Sequence, residues 1–349
     1  MSAELRVGLI GFGVAGAVFH APLIAANPQL RLATVVTGSP ERRERVQTEY
    51  PGAAIVPDVQ AMLDREDLDL VVVASPNRAH GEHTRAALRA GLPVVVDKPF
   101  APTADEGREL VELARERGLP LTVFQNRRWD NDFRTAAELI ADGELGAVHR
   151  FESRFERWVP TPKSGWRESG GAQDAGGVLY DLGSHLIDQA LALFGPVESV
   201  YAEVAARRAG VEVDDDAFVA LTHSGGVRSH LWVSKVAAQH GPRLRVLGDR
   251  GAYTKFGLDP QEAALRAGER PGPGWGEEPE ESWGVLGTVQ DSRPVPTVPG
   301  AYQEFYDALA AAVRNGTPPP VDPVGPIVGL EIIDAARRSA ATGEVVRLG

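Results

Sequence analysis

The sequence predicts an α/β protein in which an N-terminal, doubly wound parallel sheet is followed by an α+β domain with an open, mostly antiparallel sheet. Through the first third of the chain, short Val/Leu/Ile runs alternate with helical stretches, as in parallel strands covered on both faces. A glycine-rich turn follows the first of these runs. After about residue 126, polar and apolar residues alternate, which is typical of half-exposed antiparallel strands. We therefore predict two domains, 1–125 and 126–349, with the final helices available to pack back on the first.

Composition narrows the functional classes. The 349 residues include 36 Lys and Arg against 48 Asp and Glu, a net charge of -12. This balance argues against nucleic acid or an anionic membrane as a partner. The chain has no cysteine, which excludes disulfides, thiolate catalysis and Cys-ligated metal. No apolar run reaches the length of a membrane span, and the first strand follows residues 1–4 without a signal-peptide core, so we expect a cytoplasmic protein.

The elements of the first domain follow from apolar runs and helix signals. Thr103 with Glu106 forms a capping-box pattern that predicts the start of the fifth helix. Pro22 falls early in the first helix, so that helix is expected to bend or restart there. The predicted strands are 5–10, 30–37, 54–56, 70–74, 93–97 and 121–125.

The second domain is predicted to contain more strands than helices. A long helix over 178–194 interrupts the strands, and helices at 302–313 and 326–341 close the chain. The stretch 270–300 is rich in Pro, Gly and Glu and predicts a long ordered loop, since Trp275 and Trp283 favour burial. The predicted strands are 148–158, 197–203, 217–223, 227–236 and 243–247.

A G-x-G-x-x-G motif directly follows the first predicted strand. In this position the first glycine permits the tight strand-to-helix turn, the second lets the backbone approach a pyrophosphate, and the third lets the helix pack on the sheet. An ordinary βα turn is the structural alternative. The strand-turn-helix context favours a dinucleotide site with the phosphates at the helix N-terminus. The motif residues are Gly11, Phe12, Gly13, Val14, Ala15 and Gly16.

The end of the second strand indicates which dinucleotide is bound. NAD-selective versions of this fold place an acid there for the ribose 2'-hydroxyl, but no acid occupies this tip. Thr37 and Ser39 can donate hydrogen bonds, and Arg42 or Arg43 can neutralise a 2'-phosphate. The alternative is that both arginines are solvated on a helix surface. The pattern favours NADP over NAD.

Two further segments follow strands at the carboxyl edge, where ligands bind in such sheets. Lys98 ends an apolar run and would be partly desolvated beside a nicotinamide; the alternative is a lysine that snorkels from a strand end. Asn77 and His80 would lie near the ribose and nicotinamide, although turn and cap contacts explain them equally well. The candidate cofactor residues in these segments are Ser75, Pro76, Asn77, His80, Asp97 and Lys98.

The long helix carries a third group. At 100° per residue, Asp181, His185 and Asp188 share one narrow stripe of that helix. An imidazole beside carboxylates suits acid/base chemistry at an alcohol carbon, whereas Asp188 could also be an ordinary surface partner. Gly176 and Gly177 would allow a close backbone approach at the helix start. No other metal-ligating residue lies at a spacing that would complete a metal site with these three, so we expect no metal site.

Together these motifs resemble the Gfo/Idh/MocA oxidoreductases, and the resemblance covers essentially the whole chain. It rests on the glycine turn, the Pro76-Asn77-x-x-His80 and Asp97-Lys98-Pro99 segments and the Asp181-x-x-x-His185 helix, in that order. Asp97 is a departure, because the wider family mostly has Glu before Lys-Pro. Further segments resemble the bacterial branch that contains NADP-dependent scyllo-inositol dehydrogenases: residues 19–22, 126–130, 166–168 and 257–262.

The resemblance implies a Rossmann domain, NADP as cofactor and a polyol or sugar substrate placed between the nicotinamide and the long helix. It further implies His185 as the acid/base on the reacting hydroxyl, Lys98 as the group that polarises its oxygen, and Asp181 as the orienting group. Whether His185 or Lys98 moves the proton stays open. Candidate substrate-pocket residues are Arg127, Trp129, Trp166, Arg167, Asp181 and His185.

The resemblance also implies that the open sheet of the second domain forms a subunit interface, so we expect a homodimer or a dimer of dimers. Two other functions remain possible at this point. One is a nucleotide-binding regulator without turnover, which the complete set of Lys98, Asp181 and His185 disfavours. The other is an NAD-dependent glycosidase of the same family, which the acid-free second strand disfavours.

Overall fold

A computed structural model describes residues 3–162 and 176–349, and the chain forms two compact units. Unit 1 comprises Met1–Asn126, Gln261–Trp275 and Ala301–Ile327, and unit 2 comprises Arg127–Pro260, Gly276–Gly300 and Val328–Gly349. The sequence predicted two continuous ranges, whereas the units interleave along the chain. No helix among the described residues is long and apolar enough to cross a membrane.

Unit 1 is built on a six-stranded sheet in the order β3-β2-β1-β4-β5-β6, with every pair parallel. This order reverses between β1 and β4 and is the doubly wound, Rossmann arrangement that the sequence predicted. The central strands are Val- and Leu-rich because helices cover both faces; β4 is buried at all four positions. The strands are β1 (Leu5–Ile10), β2 (Leu30–Val36), β3 (Ala54–Val56), β4 (Leu70–Val73), β5 (Val94–Val96) and β6 (Leu121–Val123).

Three helices of unit 1 begin at a side-chain N-cap. Ser39, Asp58 and Thr103 each accept a hydrogen bond from a first-turn backbone N–H, so the N-cap predicted at Thr103 is confirmed. The helices of unit 1 are α1 (Ala21–Ala26), α2 (Pro40–Glu49), α3 (Val59–Leu63), α4 (His80–Arg89), α5 (Ala104–Arg117), α8 (Gln261–Arg266) and α9 (Gln303–Asn315). The three capped helices are α2, α3 and α5.

The first helix restarts near Pro22, as predicted. Ala15–His20 forms a π-helical segment, and α1 takes over at Ala21 with Pro22 in its first turn. The π-helical segment runs directly into α1, so the missing N–H of Pro22 breaks the regular series of helical hydrogen bonds at this change of helix type. The wide π turn begins within the glycine motif, at Ala15, and such turns often occur at functional sites.

Late segments of the chain complete the core of unit 1. The Phe305 ring packs edge-on against Phe124 with centroids 4.9 Å apart, and Asn27 donates to Asp307 over 2.8 Å. The Thr122 hydroxyl donates to the carbonyl of Val321 over 2.8 Å. Helix α9 therefore belongs to the same core as strands β1 to β6.

Unit 2 contains a nine-stranded sheet in the order β14-β13-β12-β11-β7-β10-β9-β8-β15. The β7–β10 pair is parallel and the others are antiparallel, which confirms the mostly antiparallel second sheet. The strands are β7 (Val148–Glu156), β8 (Val197–Ala205), β9 (Asp216–His223), β10 (Arg228–Ser234), β11 (Leu244–Gly248), β12 (Ala252–Lys255), β13 (Gly284–Gly287), β14 (Ser292–Val295) and β15 (Val346–Arg347).

The stretch 270–300 departs from its predicted form. It contains the hairpin β13–β14, which extends the sheet beyond β12. Its four-residue strands carry Gly and Pro and give little strand signal. Gly284 is required there, because a Cβ would lie 2.4 Å from the Tyr253 ring. Trp275 and Trp283 are half-buried.

The helices of unit 2 include α6 (Asn131–Ala141) and α7 (Ser184–Phe194). The final helix is α10 (Val324–Thr342); its residues up to Ile327 are assigned to unit 1 and those from Val328 to unit 2. The predicted helix 178–194 is not one continuous α-helix. It opens with a π-helical turn, Leu179–Gly183, before α7. A π turn has more residues per turn, so the 100° spacing used to relate Asp181 to His185 does not apply across it.

Candidate active site

The glycine motif has the geometry of a phosphate cradle. Gly11 has φ +98°, and a Cβ there would lie 2.5 Å from the carbonyl oxygen of Ala74. A Cβ on Gly16 would lie 2.1 Å from the oxygen of Gly11, so the first and third glycines are needed for backbone packing. A Cβ on Gly13 would meet no atom within 4 Å, which leaves its backbone open to an approaching ligand.

A cavity of about 560 Å³ in unit 1 extends from this motif. It collects the ends of β1, β2 and β4, as expected at the carboxyl edge of a parallel sheet. Its size and polar rim suit the nucleotide half of a dinucleotide. The lining residues predicted from the sequence are Gly11, Phe12, Thr37, Ser39, Arg42, Ser75 and Pro76.

The residues predicted to bind a 2'-phosphate differ in their positions relative to this cavity. Both arginines are exposed, but Arg42 lines the cavity and Arg43 is not part of its lining. The Ser39 hydroxyl accepts from the backbone N–H of Arg42 over 3.4 Å and so caps α2. Thr37 is buried, with 5% exposure. Of the two arginines, Arg42 is therefore the one that lines the cavity, and its contact with a 2'-phosphate stays a prediction.

Three further residues that line this cavity were not predicted from the sequence: Asp58 and Gln60 at α3, and His83 on α4. Asp58 follows β3 at the same carboxyl edge, so the strand-end rule applied to β3 would have found it. His83 Nδ1 lies 2.9 Å from the Ser75 hydroxyl oxygen. Burial lowers the pKa of His83, despite the opposing charge of Glu82, so His83 adds no positive charge near neutral pH.

His80 is buried and bridges two loops of the carboxyl edge. Its Nδ1 lies 2.7 Å from the carbonyl oxygen of Pro99, and its Nε2 lies 2.9 Å from that of Ser75. These contacts tie the loop after β4 to the loop after β5. Direct contact between His80 and a cofactor stays a prediction, as it does for the half-buried Asn77 in the turn after β4.

Asp97 and Lys98 follow β5 at the same edge. Asp97 Oδ1 accepts from the backbone N–H of Lys98 over 2.9 Å, and Lys98 precedes a cis proline. Burial raises the pKa of Asp97, but His20, His80 and Lys98 outweigh it and hold that pKa below its ordinary value. A carboxylate thus lies beside the half-buried Lys98.

Unit 2 holds the two other candidate catalytic residues. Asp181 lies in the π turn and is half-buried, and His185 lies in the first turn of α7 with 6% exposure. The turn is anchored by Asp214, whose Oδ2 accepts from Leu179 N over 2.7 Å. A Cβ on Gly177 would lie 2.2 Å from Asp214 Oδ1, so the close approach expected at the glycine pair is confirmed.

Asp188 has an ion-pair partner within unit 2. Arg128 donates through Nε and Nη2 to the two oxygens of Asp188 over 2.8 and 2.7 Å. Burial raises the pKa of Asp188 above its ordinary value, although the Arg128 guanidinium opposes that shift. This bidentate pair gives Asp188 a structural role on the helix that carries His185.

The substrate-pocket candidates lie in different environments. Arg127 has 6% exposure, stacks over the Phe155 ring at 4.9 Å and lies 3.5 Å from Asp130 Oδ2. Trp129 is half-buried in the turn that follows β6. Trp166 and Arg167 lie outside the described residues. A substrate role for these residues stays a prediction.

A network of buried charged and polar side chains contacts α7. Arg243 has 2% exposure; its Nε lies 2.9 Å from Asp132 Oδ2 and its Nη2 donates to Gln189 Oε1 over 3.1 Å. Gln189 in turn donates to the carbonyl of Arg127 over 2.8 Å. The network links α6, α7 and β11, so it holds the helix of His185 in one place. Among the described residues, no group of His, Asp and Glu could hold a metal ion.

Comparisons with known proteins identify the family. The oxidoreductase family with an NAD-binding Rossmann fold matches residues 5–125, and the Gfo/Idh/MocA C-terminal domain matches residues 133–254. Scyllo-inositol 2-dehydrogenase (NADP(+)) of Bacillus subtilis is 36% identical over 99% of this chain and 96% of its own length. Oxidoreductase YdgJ of Escherichia coli is 41% identical over 97% of each chain.

Solved structures agree with the sequence relatives. The oxidoreductase yvaA of Bacillus subtilis superposes with a TM-score of 0.94 and 35% identity, covering 100% of this chain and 99% of its own. The agreement extends over both domains rather than the cofactor domain alone. The chain therefore belongs to the Gfo/Idh/MocA family and is an oxidoreductase with an NAD(P)-binding Rossmann domain.

Proposed function

We propose that this enzyme transfers a hydride between NADP(H) and a secondary alcohol of a cyclic polyol or sugar, with scyllo-inositol and its 2-keto product as the first candidates. The observation that carries the proposal is full-length similarity to an NADP-dependent scyllo-inositol 2-dehydrogenase at 36% identity. A second relative, D-glucoside 3-dehydrogenase of Escherichia coli, is 30% identical over 73% of this chain and 78% of its own length. Both names describe oxidation of a ring carbon that bears a hydroxyl group.

The preference for NADP is supported by charge at the end of β2. NAD-selective relatives of this fold place an acid at the tip of β2, where this chain has none, and Arg42 in the first turn of α2 lines the same cavity. A guanidinium forms strong, charge-assisted hydrogen bonds with a phosphate. The open space at Gly13 fits the pyrophosphate of either dinucleotide.

We assign proton transfer, polarisation of the substrate oxygen and orientation of the reacting groups to three residues of the protein. The nicotinamide cofactor, when bound, donates or accepts the hydride. His185 exchanges the proton of the reacting hydroxyl, because an imidazole titrates near working pH. Lys98 polarises the substrate oxygen, and Asp181 orients these groups or grips a neighbouring hydroxyl. The cytoplasmic location expected from the sequence stays a prediction.

The test is a panel of inositols, aldoses and sugar acids assayed separately with NADP and NAD. We expect turnover of at least one cyclic polyol or sugar, with a higher kcat/KM for NADP. Individual hydroxyl contacts decide between stereoisomers, so a sharp preference within the panel is expected. Release of nitrophenol from glycosides without net reduction of NADP would favour a glycosidase, and tight NADPH binding without any turnover would favour a regulator.

A further inference from the structure

A buried histidine that the proposed mechanism does not use lies beneath the loop of Lys98. His20 is the last residue of the π-helical segment after the glycine motif, and it has no exposed surface. The Phe124 ring packs on it with centroids 4.4 Å apart. A polar ring enclosed this completely requires specific partners, because burying polar nitrogen atoms without them is costly.

The first partner is Tyr306 of α9. His20 Nδ1 lies 2.6 Å from the Tyr306 hydroxyl oxygen, and Tyr306 is also fully buried. Burial, with the nearby charge of Asp97, raises the pKa of Tyr306 well above its ordinary value, so the phenol keeps its proton. A hydroxyl that donates to Nδ1 fixes the tautomer in which Nε2 carries the hydrogen.

The second partner is Asp97. Within the described part of the chain His20 Nε2 has no hydrogen-bond partner, and the acceptor that faces it, Asp97 Oδ1, lies 3.8 Å away. The same oxygen accepts the backbone N–H of Lys98 over 2.9 Å. Hydrogen bonds in active sites are often long before ligands bind and tighten in the reacting complex. A line of polar groups therefore runs from Tyr306 through His20 and Asp97 to the backbone of Lys98, and the 3.8 Å step from His20 to Asp97 is the one that exceeds hydrogen-bond length.

We propose that His20 is a positioning residue for Lys98: Tyr306 orients the His20 ring, and its Nε2–H holds the Asp97 carboxylate that fixes the Lys98 backbone. The inference rests on the proposed function in one respect, the role of Lys98 in the reaction. It extends that function by assigning a task to two buried side chains, neither of which contacts the cofactor cavity.

Two substitutions of His20 separate its two contacts. His20→Gln keeps a side-chain amide near the position of Nε2, facing Asp97, whereas His20→Asn keeps one near Nδ1, facing Tyr306. Both remove the ring and leave similar space, so we expect similar melting temperatures. We expect His20→Asn to lower kcat roughly 10-fold or more, because small misplacement of a catalytic group costs up to about 100-fold, and His20→Gln to retain most of kcat.

Binding of NADPH, measured by fluorescence, should change less than about twofold in both variants, since a positioning effect on Lys98 is expressed in kcat. Tyr253→Phe serves as a matched control that removes a buried tyrosine hydroxyl in unit 2. Tyr306→Phe should lower kcat more than this control does. Equal kcat for His20→Gln and His20→Asn, in an active wild-type enzyme, would overturn the inference and leave the proposed function intact.

Nitrogen-15 NMR of the histidine rings gives a readout that does not need turnover. The His20 signal, identified by its loss in His20→Asn, should show the Nε2–H tautomer in the wild type and a mixture in Tyr306→Phe. A wild-type ring protonated on Nδ1 alone would contradict the proposed chain. A wild type with the expected tautomer but no turnover of any polyol or sugar would instead overturn the proposed function, and with it the role given to Lys98.

Discussion

Arg42 and Arg43 are neighbours in the sequence, but the structure gives them different surroundings. Both are exposed, but Arg42 lines the cavity proposed for the cofactor and Arg43 does not. We expect Arg42→Ala to remove about 1 to 3 kcal/mol of the preference for NADP over NAD, as for a lost charge-assisted hydrogen bond. Arg43→Ala should remove less than about 0.5 kcal/mol, as for an exposed charge.

The measurement is the ratio of kcat/KM for NADP to that for NAD in each variant. A wild-type enzyme that prefers NAD would contradict the cofactor assignment. Equal losses in the two variants would mean that general positive potential, and not a specific contact by Arg42, sets the preference.

His185 is the residue on which the proposed mechanism depends most. General acid/base catalysis typically contributes about 10²- to 10⁴-fold, so His185→Ala should lower kcat by a factor in that range. Its affinity for NADPH should change little, because His185 is not among the residues that line the cavity of unit 1. His240→Ala, which removes an exposed histidine of the same unit, is the matched control. If turnover of His185→Ala stays within a few-fold of that control, His185 is structural.

At the scale of elements, the Arg128–Asp188 pair predicts an asymmetry. Asp188 has 4% exposure, whereas the Arg128 side chain is 23% exposed. Arg128→Met leaves a buried carboxylate without its guanidinium and should cost about 3 to 5 kcal/mol of unfolding free energy. Asp188→Asn leaves a cation that water can reach, and should cost about 1 to 2 kcal/mol.

The pH dependence of the Arg128→Met variant has a definite sign. The pKa of Asp188 is raised in the folded state, first by burial, and loss of Arg128 raises it further. The folded state then binds a proton more readily than the unfolded chain, so stability increases as the pH falls through the folded pKa. Urea titrations from pH 8 to pH 5 should show a larger gain for Arg128→Met than for the wild type. A flat profile would mean that water reaches Asp188 in the variant.

Much of the fold was predictable from periodicity. Strand β1 and strand β3 have the predicted bounds, because short, mostly apolar runs between helical stretches leave few alternatives. The π turns at Ala15–His20 and Leu179–Gly183 were not predictable, since both belong to continuous helical patterns and depend on packing. The hairpin of β13 and β14 was missed because its alternation is too short.

Some residues of the candidate site were predictable from the sequence and others were not. The glycine motif and the strand ends were found because their chemistry is local and follows each strand directly. Gln60 and His83 were missed because helices α3 and α4 bring them to the cavity, which depends on the order of strands in the sheet. The Tyr306–His20 contact joins residues 286 positions apart and has no local signal at all.

At the scale of the whole molecule, the outer face of the nine-stranded sheet predicts self-association. Alternate residues of β9 and β10 are only half-buried in the single chain, and they include Phe218 and Trp232, with ring centroids 5.1 Å apart. Arg154 stacks over Trp232 at 3.9 Å. An aromatic and charged face of this kind is typical of interfaces. We expect a homodimer or a dimer of dimers.

Sedimentation at micromolar concentration tests this expectation. Replacing both Phe218 and Trp232 by Glu should yield a monomer, because buried like charges would oppose each other across the interface. Val289→Glu, at a hairpin tip where the side chain is 97% exposed, should leave the assembly unchanged. A monomeric wild type would contradict the prediction.

The interleaving of the two units constrains how the protein is made. Phe124 and His20 emerge from the ribosome long before Phe305 and Tyr306, which cover them in the finished core. At translation rates of about 5 to 20 residues per second this interval lasts on the order of ten seconds or more, during which an apolar surface stays exposed. We therefore expect chaperones to bind the N-terminal segment while the rest of the chain is being synthesised. A synonymous-codon change that slows translation between the segments should increase aggregation of the newly made chain without altering one residue of the enzyme.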